Sequence, residues 1–331
     1  MFFKNKKVLI IGGTGTIAQM LLKHIVVDSP KVIRLLSRDE YKQFMLQHEY
    51  GNKKDIQFLV GDVRNYESLL SAMEDIDYVF HLAAMKHVPA CEYNPYEAVL
   101  TNIIGTNNVI KAAKAQNVEK VVFTSSDKAI YPMNNYGATK LVAERLISAT
   151  SIGYGRTKFS SVRFGNVIGS RGSVIPLFVK QILENRRVTV TDESMSRFMM
   201  IPSQAAELTI KALKESKGGE TFVLKMPVII LKDLVSVVIE ESCNKYNIDT
   251  KEIGIELIGL RPGEKMYEVL MTYEESLITL EYSDMFIIPS PFSGNHVYTN
   301  AQKTNLVYSS HSQTPISREE IRKLILTEKL I

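Results

Sequence analysis

Asp127, Lys128, Tyr136 and Lys140 fall within fourteen positions of one another, an acid and a candidate base followed by a Tyr-x-x-x-Lys pair. Tyr136 and Lys140 are four apart and therefore share one face of a helix. An ammonium beside a phenol favours the phenolate and lowers its pKa from about 10, so Tyr136 can take a proton from a sugar hydroxyl while a nicotinamide accepts the hydride. The ketone so formed acidifies the neighbouring C–H bond. Lys128 is then the natural base for that proton, and Asp127 the natural acid for a departing hydroxyl. Returning the hydride to the new methylene would close a redox-neutral cycle.

The acid and base carry an energetic difficulty. In water a neutral Asp beside a neutral Lys is the disfavoured tautomer of an ion pair, by roughly 6.5 pKa units or about 9 kcal/mol. Burial under a substrate is expected to shrink the gap, raising the Asp pKa and lowering that of Lys. Lys86, in Ala83-Ala84-Met85-Lys86-His87, either repels Lys128, pairs with a substrate oxygen or stands solvated in its loop. His81 fits a satisfied core histidine, His87 can reach the site, and Met195, Met199 and Met200 suit packing.

These groups need elements to hold them. β-Branched runs at Val8–Ile11, Val32–Leu36, Ile56–Val60, Tyr78–Leu82, Val121–Thr124 and Phe159–Arg163 alternate with segments of helical period. That alternation predicts an α/β fold, a doubly wound parallel sheet with helices on both faces. Asp127 and Lys128 then follow the fifth strand, and Tyr136 and Lys140 open the next helix. After about residue 165 the regularity fades, which predicts a dinucleotide-binding domain over 1–165 and a smaller substrate lobe over 166–331, with part of 188–215 returning to the first domain. Ligands bind such sheets in the crevice beyond the carboxyl ends of the strands.

Gly12-Gly13-Thr14-Gly15-Thr16-Ile17-Ala18 follows the first strand and opens the first helix, so Gly12 and Gly15 permit a tight turn and close approach of a pyrophosphate. Ser37 stands where a ribose-binding carboxylate is common, with Arg38 beside it. A guanidinium suits a 2′-phosphate and favours NADP over NAD. Alternatively Ser37 or Asp39 caps the following helix and Arg38 is solvated. Asp62 and Val63, after the third strand, suit an adenine contact.

Composition narrows the class. The 331 residues are 45% apolar and 23% charged, with a net charge of +4 spread along the chain, so a basic block for nucleic acid or lipid is absent. Cys91 and Cys243 sit in no disulfide or zinc pattern, which suits a reduced cytoplasm. No apolar run approaches the roughly 20 residues that span a bilayer, and the N-terminus has no signal-peptide pattern.

Thr124-Ser125-Ser126-Asp127-Lys128-Ala129 with Tyr136-Gly137-Ala138-Thr139-Lys140 resembles the UDP-N-acetylglucosamine 4,6-dehydratases of the extended short-chain dehydrogenase/reductase superfamily. Ala84-Met85-Lys86-His87-Val88-Pro89, Arg163-Phe164-Gly165-Asn166-Val167, Gly169-Ser170-Arg171-Gly172, Met195-Ser196-Arg197-Phe198 and Arg261-Pro262-Gly263-Glu264-Lys265 agree. The resemblance implies a lyase with recycled NADP, catalytic Ser126, Asp127, Lys128, Tyr136 and Lys140, and cofactor contacts from Thr14, Thr16, Ile17 and Ala83. It also implies that Lys86, Asn166, Arg197, Arg261 and Glu264 bind UDP-N-acetylglucosamine, in a cytoplasmic homo-oligomer with no metal. Ala18 replaces the usual Gly, and Ser196 a Thr. Tyr136 is Met in some membrane-bound members, so its presence is similar to the soluble C5-inverting type of the pseudaminic acid pathway. A configuration-retaining dehydratase, a UDP-sugar 4-epimerase and a silent NADP-binding protein remain as alternatives; the Asp-Lys pair speaks against the epimerase.

Overall fold

The computed structural model describes residues 1–331 except 52, 154, 171–172, 261–262, 293–297 and 300. Strands β1 (Lys7–Ile11), β2 (Val32–Ser37), β3 (Ile56–Val60), β4 (Tyr78–His81), β5 (Lys120–Thr124) and β6 (Lys158–Arg163) form a parallel sheet in the order β3-β2-β1-β4-β5-β6. The expected doubly wound sheet is present, within a residue or two at each end. Side chains alternate between its faces. Val8 and Ile10 enter one core and Leu9 and Ile11 the other, as Val122 does against Val121 and Phe123, which is why these strands show no polar alternation.

The sheet continues past residue 165. Thr221–Leu224 pairs parallel with β6, and Met285–Ile288, Leu280–Glu281 and Gln302–Lys303 follow antiparallel, completing ten strands. Helix α1 (Thr16–Val26) shares a core with the helix Pro202–Glu215, through Leu21 and Leu22 against Ala205, Ala206 and Leu213. A break near residue 165 is therefore no break in the sheet. A separate apolar core, with Phe178, Ile182, Val188, Leu234, Val238 and Ile325, supports the segments that lie over the strand ends.

Strand order reverses between β1 and β4. That is the switch point at which such sheets open a crevice, and a cavity of about 750 Å³ lies there. Cys91 and Cys243 are buried and not joined to one another. No helix among the described residues is long and apolar enough to cross a membrane.

Candidate active site

The turn after β1 sets one end of the cavity. Gly12 has φ +85°, and a β-carbon there would stand 2.9 Å from the Ala83 nitrogen, so the left-handed conformation and the approach to the next strand both require glycine. Gly15 caps α1 without a side-chain hydrogen bond, leaving that helix end facing the cavity. Thr14, Thr16, Ile17, Val63 and Ala83 complete this wall. Three buried hydroxyls on the cavity, Thr101, Ser125 and Ser173, have no hydrogen-bond partner among the described residues. Unpartnered buried polar atoms are costly, so a polar ligand along this wall fits the residues present.

The ribose end joins both expectations made for it. Asp39 caps the helix Glu40–Tyr50, its carboxylate accepting from the Lys42 amide at 3.0 Å. Arg38 nonetheless lines the cavity with its guanidinium half exposed, 3.7 Å from Asp62. Ser37 exchanges a 3.0 Å hydrogen bond with Thr14. Asp62 is not on the wall: its carboxylate holds Arg64 at 2.7 Å and braces Arg38. The side chain of Lys42 adds a second cation to this end. The sequence signal for it was only that a helix begins at Glu40.

Asp127, Lys128 and Ala129 form a single 3-10 turn at the end of β5. Ser126 starts it, donating to Asp127 Oδ1 at 2.8 Å and accepting from the Lys128 amide at 3.3 Å. Asn134 caps the next helix, α2 (Asn135–Ala149), accepting from the Gly137 amide at 2.9 Å. A β-carbon at Gly137 would collide with the Lys128 carbonyl. Glycine thus lets α2 begin against the turn, which brings Tyr136 and Lys140 to the same wall as Asp127 and Lys128.

The electrostatics depart from two expectations. Lys128 Nζ lies 3.0 Å from Asp127 Oδ2 and 3.9 Å from Glu268 Oε1. Burial pushes Asp127 up, but the Lys128 ammonium and the Ser126 hydroxyl outweigh it and leave the carboxyl below its usual range. Burial pulls Lys128 down, yet Asp127 and then Glu268 hold it well above the ordinary lysine range. Burial of the free site therefore does not close the gap between them; the pair is ionised, because each charge is the other's nearest partner.

The second departure concerns the phenol. Burial raises Tyr136, and the Ser126 hydrogen bond and Lys128 oppose it without prevailing. Lys140 is buried, donates to the Thr124 carbonyl at 2.7 Å and lies 4.2 Å from the Phe123 ring centre. Burial lowers it to about 7, with Glu144 pulling the other way. A lysine titrating there has lost its charge before a phenol ionises, so in the free protein it does not supply the stabilisation expected of the pair. The nearby ammonium acting on Tyr136 is Lys128.

Lys86, Asn166, Arg197 and Glu264, the residues expected to meet a substrate, all line the cavity; Arg261 lies outside the described residues. Two of the four also face inward. Asn166 donates to Glu268 Oε1 at 2.9 Å, and Arg197 Nε stands 3.6 Å from the same oxygen.

The comparisons with known proteins agree with this frame. The family described as Polysaccharide biosynthesis protein matches residues 8–290. The chain belongs to that family. An uncharacterized membrane protein of Methanocaldococcus jannaschii is 45% identical over 327 residues, 98% of this chain and 96% of its own. A UDP-glucose 4-epimerase of Rickettsia bellii is 39% identical over 336 residues, with the same two coverages. Pen from Bacillus thuringiensis, a solved structure, has a TM-score of 0.94 at 60% identity over 100% of both chains. The fold is shared with a dTDP-glucose 4,6-dehydratase of Streptomyces venezuelae, at 18% identity and a TM-score of 0.69 over 78% of this chain and 86% of that one, and with a UDP-N-acetylglucosamine 4-epimerase of Methanobrevibacter ruminantium, at 22% and 0.65 over 79% and 87%.

Three features of this family member had no role assigned from the sequence, although Arg163 and Lys265 stand in the motifs quoted above. Glu268 is buried at the back of the Asp127–Lys128 pair, its Oε2 accepting from the Phe198 amide at 2.9 Å. Lys265 donates to the Ile130 and Tyr131 carbonyls, both at 2.8 Å, and so pins the loop after the Asp127–Ala129 turn, where Tyr131 has φ +46°. Arg163 is a buried strut between Glu144 and Glu275. His81 is half satisfied: one ring nitrogen meets Thr106 at 3.0 Å while Nδ1 has no partner. Burial holds it neutral, at a pKa of about 3.

Proposed function

We propose that this protein is an NADP-dependent UDP-N-acetylglucosamine 4,6-dehydratase that inverts C5. The observation that carries it is the Asp127–Lys128 contact of 3.0 Å on the wall that also holds Tyr136, an acid and a base adjacent to a hydroxyl-oxidising group. Tyr136 accepts the proton of the 4-hydroxyl, Lys128 takes the C5 proton and Asp127 delivers a proton to the departing 6-hydroxyl. A nicotinamide dinucleotide held by the Gly12–Ile17 turn, Ser37, Arg38, Val63 and Ala83 would supply the hydride acceptor and donor. Lys86, Asn166, Arg197 and Glu264 hold the nucleotide and sugar, arginine suiting the diphosphate. Exposed Tyr93, Tyr96 and Val99 support a homo-oligomer.

A second reading, a UDP-sugar 4-epimerase, is favoured by the name of the Rickettsia relative. The two differ by one molecule of water. Incubation with UDP-N-acetylglucosamine should give a product lighter by that amount, whereas an epimerase gives an isomer of unchanged mass. In ordinary water, proton NMR couplings around the ring with nuclear Overhauser contacts of H5 should identify a 4-keto-6-deoxy sugar of L-arabino configuration; a D-xylo product removes the inversion and leaves the dehydratase.

The NADP assignment rests on Arg38 and Ser37. Protein purified as expressed should release mainly NADP, and Arg38→Ala should narrow the preference over NAD by roughly tenfold, the loss of one charge-assisted contact of about 1.5 kcal/mol. Release of mainly NAD by the unaltered protein counts against it.

A further inference from the structure

The Asp127–Lys128 ion pair poses a problem that the dehydratase reading leaves open. Turnover needs Asp127 protonated and Lys128 neutral, but the free site has the opposite division. The transfer itself is simple: one proton leaves Lys128 Nζ for Asp127 Oδ2, 3.0 Å away, with no change in total charge. Its cost depends on what surrounds the two groups.

Glu268 is a buried carboxyl beside both. It is absent from the cavity wall, so it does not reach a substrate. Its carboxyl is close enough to Asp127 for the two to feel each other's charge, and its Oε1 lies 3.9 Å from Lys128 Nζ. Both of its oxygens already accept N–H donors, Oε1 from Asn166 and Oε2 from the Phe198 amide. That arrangement suits an anion. The other charged groups facing it are Arg197 and Lys265.

Resting on that reading, we propose that Glu268 is a positioning residue for the elimination, whose ionised carboxylate makes Asp127 receptive to the proton of Lys128. Protonated, Glu268 would donate to Asp127 and stabilise it as a carboxylate, favouring the inactive ion pair. Ionised, it repels the Asp127 anion and attracts the ammonium by comparable amounts, so the ion pair loses that advantage. Burial and the Asp127 charge bring Glu268 up to about 7, where it changes state under ordinary conditions.

The test is the rate of water loss in wild type and Glu268→Gln between about pH 6 and about pH 8, with UDP affinity measured by calorimetry in both. Glutamine keeps the shape and can only imitate the protonated acid. The ratio of wild-type to variant rate should rise from near one to roughly tenfold across that range, with UDP affinity unchanged. Lys140 titrates in the same range and cancels from the ratio. A ratio independent of pH overturns the proposal, since a merely structural loss would be constant. If Glu268→Gln does not fold, Glu268→Asp keeps the charge and must follow the wild-type rise; a flat profile there overturns it equally. Wild type that releases no water removes the dehydratase reading and this role together, whereas a dehydrating wild type with a constant ratio removes only the role of Glu268.

Discussion

Lys128→Ala should lower the rate of dehydration by about a thousandfold, the scale on which a positioned general base acts, while UDP affinity stays within about threefold. The separation is geometric. Lys128 Nζ is engaged with Asp127 and Glu268, whereas the nucleotide is assigned to Arg197, Glu264 and Asn166 on the same cavity. Oxidation at C4 belongs to Tyr136 and precedes proton removal at C5, so the nicotinamide absorbance should still change when substrate is added, more slowly because the ammonium acting on Tyr136 is gone. The variant also leaves Asp127 and Glu268 buried together without their shared cation, and one of them should take up a proton. Rapid-quench mass analysis and calorimetry check both parts. Water loss at the wild-type rate would take the base role from Lys128.

Lys140→Met should make the cofactor-free protein more stable, by about 1–3 kcal/mol at neutral or lower pH. Lys140 titrates at about 7 in the folded chain because burial penalises its charge, against about 10.4 in an unfolded one. Between those values the unfolded chain holds a proton that the folded chain has released, so stability rises with pH across that window, and below about 7 the full penalty stands. Its upper bound is several kcal/mol. The hydrogen bond lost in exchange, to the Thr124 carbonyl at 2.7 Å, offsets about 1–3 kcal/mol of it. Methionine fills similar space without charge. Thermal melts at about pH 6 should show the variant ahead, with its lead closing by about pH 10 and hydride transfer abolished. A variant less stable at every pH would mean that the hydrogen bond outweighs the burial penalty. A lysine kept at such a cost is more consistent with function than with folding.

The sheet was legible because its signal is local. Val8–Ile11 or Val121–Phe123 must be buried on both faces, and a run without polar alternation says so by itself. The Gly12–Gly15 turn and the neighbourhood of Asp127, Lys128, Tyr136 and Lys140 were legible for the same reason, being contiguous across one strand end, one turn and one helix start. The cap is equally local, Asn134 standing three residues before the Gly137 amide it accepts from.

Protonation was not. Whether Asp127 and Lys128 are neutral or paired depends on their burial and on each other's charge, and the carboxyl that adds to it, Glu268, stands 140 positions beyond Lys128. The same holds for Lys140, whose loss of charge follows from how completely the β5 end and α2 enclose it, and for the strands Thr221–Leu224 and Met285–Ile288, which extend the sheet from sequence expected in a separate lobe. Residue type and spacing determine which groups can meet on one short element. Their charge is set by desolvation and by partners from distant elements, and only the tertiary structure decides those.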